Sequence, residues 1–237
     1  LSIAISMATY RRKDGKTPFY LKRAVDSVFA QEYNDFKLFL IGDCYDDDKE
    51  WASLVAPYEG FGFYCVNLDK AVERDKYKNH KNKMILWNCG GAAASNFGSA
   101  LALEEGFDYV CHLDHDDYWR PSHLKVINKA IEETKADWFC TKSVYGPMIY
   151  PLYQPSEYLS FFLPLPYGLI NSSTCFNHRT IPLRYRDTYE ATGSTLPGDG
   201  DLWGRMAKYI MDHGLLSYLI NEQTCFHEEE GYLLNEK

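Results

Sequence analysis

Apolar residues fill positions 1–9 with few interruptions, which is the pattern of a strand. After a polar loop, Leu21, Ala24, Val25, Val28 and Phe29 recur at three- and four-residue intervals, predicting a helix over 18–31 with these side chains on its inner face. Residues 36–42 return to a strand pattern, 50–58 to a short helix and 62–68 to a third strand, so the first third reads βαβαβ.

Between 70 and 83 charged and polar side chains follow one another without a period, which predicts an exposed loop. Helical spacing resumes over 92–105 and leads into a strand at 109–113. A helix is predicted over 121–135, with Pro121 in its first turn and Leu124, Ile127, Ala130 and Ile131 on one face. Beyond Ala136, Pro147, Pro151, Pro155, Pro164 and Pro166 interrupt short aromatic runs and predict irregular strands and loops. A last helix covers about 201–213. Alternating strands and helices in the N-terminal half imply a mostly parallel sheet covered by helices on both faces.

Composition narrows the choice of function. At 237 residues and 46% hydrophobic content, the chain is expected to form one domain. Its 19 tyrosines and 13 phenylalanines are many for a plain packing scaffold, and surplus aromatics line sites for bases or sugar rings. A net charge of −8 argues against a nucleic-acid or anionic-membrane surface, which needs clustered Lys and Arg, but leaves room for a small phosphorylated ligand held through a metal ion. Seven cysteines at wide spacing, with no C-x-x-C pair, read as free thiols in a reducing compartment. No apolar run approaches the roughly 20 residues that span a bilayer, and no signal peptide opens the chain. The expected location is therefore cytoplasmic, or peripheral to a membrane.

In a parallel α/β sheet, ligands bind beyond the carboxyl ends of the strands. Three predicted strand ends carry polar groups: Ala8-Thr9-Tyr10-Arg11-Arg12, Gly42-Asp43, and Asp114-His115-Asp116-Asp117. In an extended segment Asp114 and Asp116 project to one side while His115 and Asp117 project to the other. Two carboxylates so placed repel unless a cation lies between them, and hard oxygen ligands suit Mg²⁺ or Mn²⁺; the alternative is an acidic turn capping the helix near Pro121. Asp43 either caps a turn or accepts a hydrogen bond from a base's ring N–H while Tyr10 stacks on that base. The run Gly90 to Asn96 opens a helix with small residues, which serves either a phosphate or close helix packing. Asp201 is read as an N-cap or first-turn acid, and Asp199 as lying outside the helix in a glycine-flanked loop, free to face a cleft.

Taken together, these pieces resemble the family 2 glycosyltransferases: Ala8 to Arg12, Ser27 to Gln31, Ile41-Gly42-Asp43, Gly91 to Asn96, Leu113 to Asp117 before Trp119-Arg120-Pro121, and Gly198 to Arg205, in that order over roughly residues 1–210. The resemblance implies a GT-A fold: a single Rossmann-like α/β domain over 1–237 with a mostly parallel central sheet flanked by helices, 1–117 binding the nucleotide and 118–237 the acceptor. It further implies that Ala8, Thr9, Tyr10, Arg12, Asp43, Asn96, Asp114 and His115 bind the nucleotide, and that Asp114 and Asp116 hold Mn²⁺ or Mg²⁺. His227 either is a surface histidine or, as the resemblance implies, stands where some GT-A enzymes place a further metal or phosphate ligand. Asp199 matches the catalytic base. The implied reaction is inverting transfer of a single sugar from a nucleotide diphosphate sugar, with UDP favoured, to a hydroxyl of a glycan or glycoconjugate. Membrane helices and the Q-x-x-R-W signature of processive synthases are absent from the sequence.

The sequence departs from the family pattern at Ser95, where an arginine often stands, and at Gly198, where a glutamate often precedes the base. Arg74, Lys76, Lys81 and Lys83 are the basic residues that could replace the missing phosphate contact. Two other functions compete. A sugar-nucleotide pyrophosphorylase would need a glycine-rich, basic first loop, whereas residues 9–17 hold one glycine. A non-catalytic nucleotide-sugar or glycan-binding module would have little use for Asp199 beside the metal carboxylates.

Overall fold

The computed structural model describes residues 2–60 and 62–227. Leu1 of the first predicted strand, Phe61 and residues 228–237 of the predicted acceptor half lie outside the described residues. In chain order the elements are β1 (Ile3–Thr9), α1 (Thr17–Phe29), β2 (Phe36–Gly42), α2 (Asp48–Val55), β3 (Tyr64–Asn67), α3 (Val72–Tyr77), α4 (Lys83–Cys89), α5 (Ala92–Glu104), β4 (Tyr109–His112), β5 (Asp117–Trp119), α6 (His123–Thr134), β6 (Trp138–Tyr145), β7 (Met148–Tyr150), β8 (Leu159–Phe161), β9 (Thr174–Asn177), α7 (Thr188–Thr192), α8 (Gly198–His213) and β10 (Ser217–His227).

The strands form one sheet in the order β3-β2-β1-β4-β9-β6-β10-β5. Strands β3, β2, β1 and β4 run parallel, β9 is antiparallel to both β4 and β6, and β10 runs parallel to β6. The chain leaves β1 to build β2 on one side and later returns to build β4 on the other. Such a switch in direction opens a crevice beyond the carboxyl end of β1.

Both faces of the sheet are covered, and β1 shows how. Ile3, Ile5 and Met7 pack with Leu21, Val25 and Val28 of α1 and with Leu124 and Ile127 of α6. Ala4 faces the other way, into a cluster with Phe39, Ile41 and Ala94 of α5. A third cluster joins Trp138, Phe176 and Leu219 of the sheet to Trp203, Met206 and Ile210 of α8. The helical faces predicted over 18–31 and 121–135 are thus the buried ones, with Phe29 only partly covered.

Helix α5 approaches the sheet closely because Gly98 has no side chain. A β-carbon there would collide with Ser6 Oγ and lie 3.1 Å from Ile41 Cγ1. Gly98→Val is therefore expected to cost about 1–3 kcal/mol through overpacking. A thermal melt should show Tm falling by about 2–4 °C for each kcal/mol. An unchanged Tm would mean that α5 is not packed as described.

Two expectations are corrected. Residues 70–83 are not a bare loop, because they contain α3, with Glu73 and Tyr77 buried, and run into the start of α4. Tertiary partners stabilise this charged segment: Lys76 pairs with Asp187 and Glu190, and Glu73 accepts from the Ala93 N–H. The region after Ala136 holds the eight-residue β6 and the eleven-residue β10. The stretch from Pro147 to Pro166 holds only the three-residue β7 and β8 between loops, as expected, and β10 shifts register against β6 between Ile220 and Cys225.

Candidate active site

Three strand ends and one helix start meet at the crevice. At one end, Thr9 is buried with its hydroxyl 2.9 Å from the Tyr45 hydroxyl, and Asp43 is buried beside it. Asp43 Oδ2 accepts from Arg74 Nε at 2.5 Å, while Oδ1 is buried and has no hydrogen-bond partner among the described residues. The Arg74 guanidinium lies 3.7 Å from the centre of the Tyr10 ring, whose edge contact with His115 spans 4.7 Å between ring centres. Ala8 sits one residue before the end of β1, where its main chain binds His115. Burial lowers the pKa of His115, and its Nε2 is also without a partner among the described residues.

In the middle, the segment 114–117 departs from the extended form expected for it. The Asp117 N–H donates to the Asp114 carbonyl at 3.0 Å, closing a turn and removing the two-sided alternation. Asp114 accepts from Asn171 Nδ2 at 3.1 Å. Burial, followed by the charges of Asp117, Asp116 and Asp199, raises its pKa well above the usual carboxylate range. Asp116 is bound by Arg12 Nη1 at 2.9 Å. Burial pushes its pKa up, but electrostatic interaction with His115, His227 and Arg12 outweighs this and holds it low. Asp117 is fully buried between Ser172 Oγ, at 2.5 Å, and His227 Nδ1, at 2.6 Å. Burial works against protonated His227, yet Asp117, Asp116 and Asp114 together push its pKa up to about 9.

At the far end, Asp199 is not in a loop. Helix α8 begins at Gly198 and takes Asp199 into its first turn. Glycines on both sides let neighbouring backbones close in without displacing the helix start, which is why the sequence read as a loop. Burial raises the Asp199 pKa, offset by the Gly200 N–H that donates to Oδ1 at 2.8 Å. A side chain at position 198 would collide with the Asn88 carbonyl, since a β-carbon there lies 2.9 Å from it. Position 198 thus has no room for a glutamate side chain unless the end of α4 shifts. Asp201 sits in the same first turn and is held by Arg186 and Arg205 at 2.7 and 2.8 Å.

Two of the sequence-predicted residues, Asn96 and Arg12, have polar groups engaged by other parts of the chain. Both amide atoms of Asn96 are spent on the main chain of Tyr185, at 2.9 and 3.0 Å. The Ala93 N–H at the start of α5 is taken by Glu73, and Gly91 just before it has a φ of +85°, a left-handed conformation that favours glycine. Arg12 spans Asp116 and Asp14. Among the described residues, no three or more His, Cys, Asp or Glu side chains form a ready-made metal cluster. Five of the seven cysteines are buried.

Residues 5–193 match the model of glycosyl transferase family 2. The chain belongs to this family. An uncharacterized glycosyltransferase of Acanthamoeba polyphaga mimivirus is 32% identical over 251 residues, an alignment covering 99% of this chain and 97% of the relative. Among solved structures, Staphylococcus aureus TarS in complex with UDP superposes with a TM-score of 0.68 at 12% identity, covering 97% of this chain and 61% of TarS. The TarS complex with UDP-GlcNAc gives 0.69 at 13% identity, covering 97% and 59%. The family 2 chain therefore spans about three fifths of these TarS structures, and at that identity the likeness establishes the shared GT-A fold.

Sequence reasoning missed three contributors to the site of this glycosyltransferase, Asp117, Asn171 and Ser172, while Arg74, a candidate for the phosphate contact, lies against Asp43 and Tyr10. Asp117 was read as facing away, whereas it anchors His227. Asn171 and Ser172, in a short 3₁₀ turn, fix Asp114 and Asp117. The polar triplet Asn171-Ser172-Ser173 after an apolar residue was the available signal for that turn. No described helix of the enzyme is long and apolar enough to cross a membrane.

Proposed function

We propose that this glycosyltransferase moves a single sugar from a UDP-sugar to a hydroxyl of a glycan or glycoconjugate, with inversion at the anomeric carbon. The observation that carries the reading is the match of residues 5–193 to glycosyl transferase family 2 in a chain that sets Asp114, Asp116 and Asp117 just beyond β4 and Asp199 in the first turn of α8.

The nucleotide end fits a uracil edge. Asp43 Oδ1 is a buried acceptor awaiting a donor, and a ring N–H beside it would supply one. Arg74 and Tyr10 frame the same space with a cation and an aromatic face. That TarS, of the same fold, has been solved with UDP and UDP-GlcNAc supports a UDP donor.

The chemistry of the donors supports a hard divalent cation, although the described side chains do not converge as a ready-made cluster: Asp114 is a carboxylate whose pKa is raised first by burial and then by the neighbouring carboxylates, and His227 Nδ1 is fixed by Asp117 as in metal-binding histidines. Asp114, Asp116 and His227 would hold Mn²⁺ or Mg²⁺, whose contribution when bound is to neutralise charge on the diphosphate. The protein performs the remaining steps. Asp199 takes the proton of the acceptor hydroxyl as its oxygen attacks the anomeric carbon. The bond from that carbon to the diphosphate oxygen breaks in the same displacement, and the bonding pair leaves with UDP. A raised carboxylate pKa makes Asp199 a stronger base.

Calorimetric titration of UDP, GDP and dTDP with and without Mn²⁺ tests this reading. UDP is expected to bind tightest and to bind more tightly with the metal. Equal affinity for all three, or none for any, removes the proposed base site.

A further inference from the structure

The proposed reaction uses none of the cysteines, yet two of them face each other inside the sheet. Strands β4 and β9 run antiparallel, and their register sets Cys111 directly opposite Cys175. Both side chains are fully buried. The ladder decides which kind of pair they form. The His178 N–H donates to the Asp108 carbonyl at 2.8 Å, so the pair 108/178 is hydrogen-bonded. Hydrogen-bonded and non-hydrogen-bonded pairs alternate along an antiparallel ladder, which makes 111/175 non-hydrogen-bonded. The other edge of β9 agrees. The Asn177 N–H donates to the Asp137 carbonyl, and residue 175, two positions away, turns its main chain the same way, toward Phe139 of β6. In a non-hydrogen-bonded pair the α-carbons are about 4.5 Å apart and the side chains at their closest, within the span of about 4.4–6.8 Å that a disulfide bridges. The Cys111 and Cys175 side chains are hydrogen-bonded to each other.

The pair lies at the foot of the candidate site. Asp114 follows Cys111 by three residues, and Ser172 precedes Cys175 by three. The Asp114 N–H donates to Ser172 Oγ at 2.9 Å, so the segments that extend from this strand pair meet again at the carboxylates. We propose that Cys111 and Cys175 are an oxidation site, where a small-molecule disulfide converts the two thiols into a bond that staples β4 to β9 beneath Asp114. Each thiol gives up its hydrogen, one S–S bond forms between the strands, and the S–S bond of the reagent breaks to release two thiols. Burial holds the Cys175 thiol well above its ordinary pKa, so exchange waits on the opening of β4 from β9. The same burial then shields the finished bond from reductants. Because the bond joins positions far apart in the chain, it restricts the unfolded ensemble and raises stability.

The test incubates the full chain with oxidised glutathione, in buffer and in urea below the unfolding transition. Remaining thiols are then alkylated under denaturing conditions, and a digest is mapped by mass spectrometry. Cys65, an exposed thiol, should take up glutathione and report that the reagent is active. A linked pair of peptides holding Cys111 and Cys175, lighter by two hydrogens than the reduced pair, is expected. It should form about ten-fold faster or more in the urea, where the strands open more often. The oxidised chain should melt about 5 °C or more above the reduced one, a gain absent from Cys111→Ala and Cys175→Ala. Alkylation of both Cys111 and Cys175 in every sample, with Cys65 carrying glutathione, would overturn the proposal. Pairing of either with a different cysteine, or glutathione left on either, would overturn it as well. A linked pair that melts no higher than the reduced chain would overturn the staple.

Discussion

Replacing Asp199 with Asn is expected to lower sugar transfer by about 10²- to 10⁴-fold, the range lost with a general base, while UDP still binds. The substitution keeps the size of the side chain and an oxygen for the Gly200 N–H, so the first turn of α8 is preserved. What disappears is the ability to take a proton. Initial rates of transfer with a labelled UDP-sugar, beside a UDP titration of the same variant, separate the two effects. A variant retaining more than a tenth of the wild-type rate would remove Asp199 from the role of base.

The second large effect is expected at Asp116. Asp116→Ala should abolish the gain in UDP affinity that Mn²⁺ provides, a loss of about ten-fold or more. A structural contribution must be separated from this, because Arg12, whose side chain is only 2% exposed, binds both Asp116 and Asp14. Asp14→Ala breaks the other half of that pairing and lies outside the proposed metal set. It should leave the Mn²⁺ dependence intact. If both variants lose the metal effect equally, Arg12 positioning explains the result and Asp116 is not a ligand; if neither does, the metal lies elsewhere or is not used.

Much of the fold was legible because its signals are local. Leu21, Ala24, Val25 and Val28 on α1, and Leu124, Ile127, Ala130 and Ile131 on α6, declare their buried faces through spacing alone. Positions 70–83 were misread because no local period marks a helix whose charges are satisfied by residues far along the chain, as Lys76 is by Asp187. The strand β6 was obscured by Pro147 and Pro151, which lie just beyond its end.

The sequence alone determined the family pattern, the order of the strand ends and the carboxylates they carry, because short-range spacing and residue type encode these features. The tertiary structure decided which of those groups act together. Asp117 meets His227 across 110 positions, and Arg12 meets Asp116 across 104. Gly198 looks like a departure from the family until the Asn88 carbonyl is seen to fill the space of a side chain there. Such contacts depend on how the chain crosses the sheet between β1 and β10, and burial then sets the charge of each group. Neither quantity is a property of any short stretch of sequence.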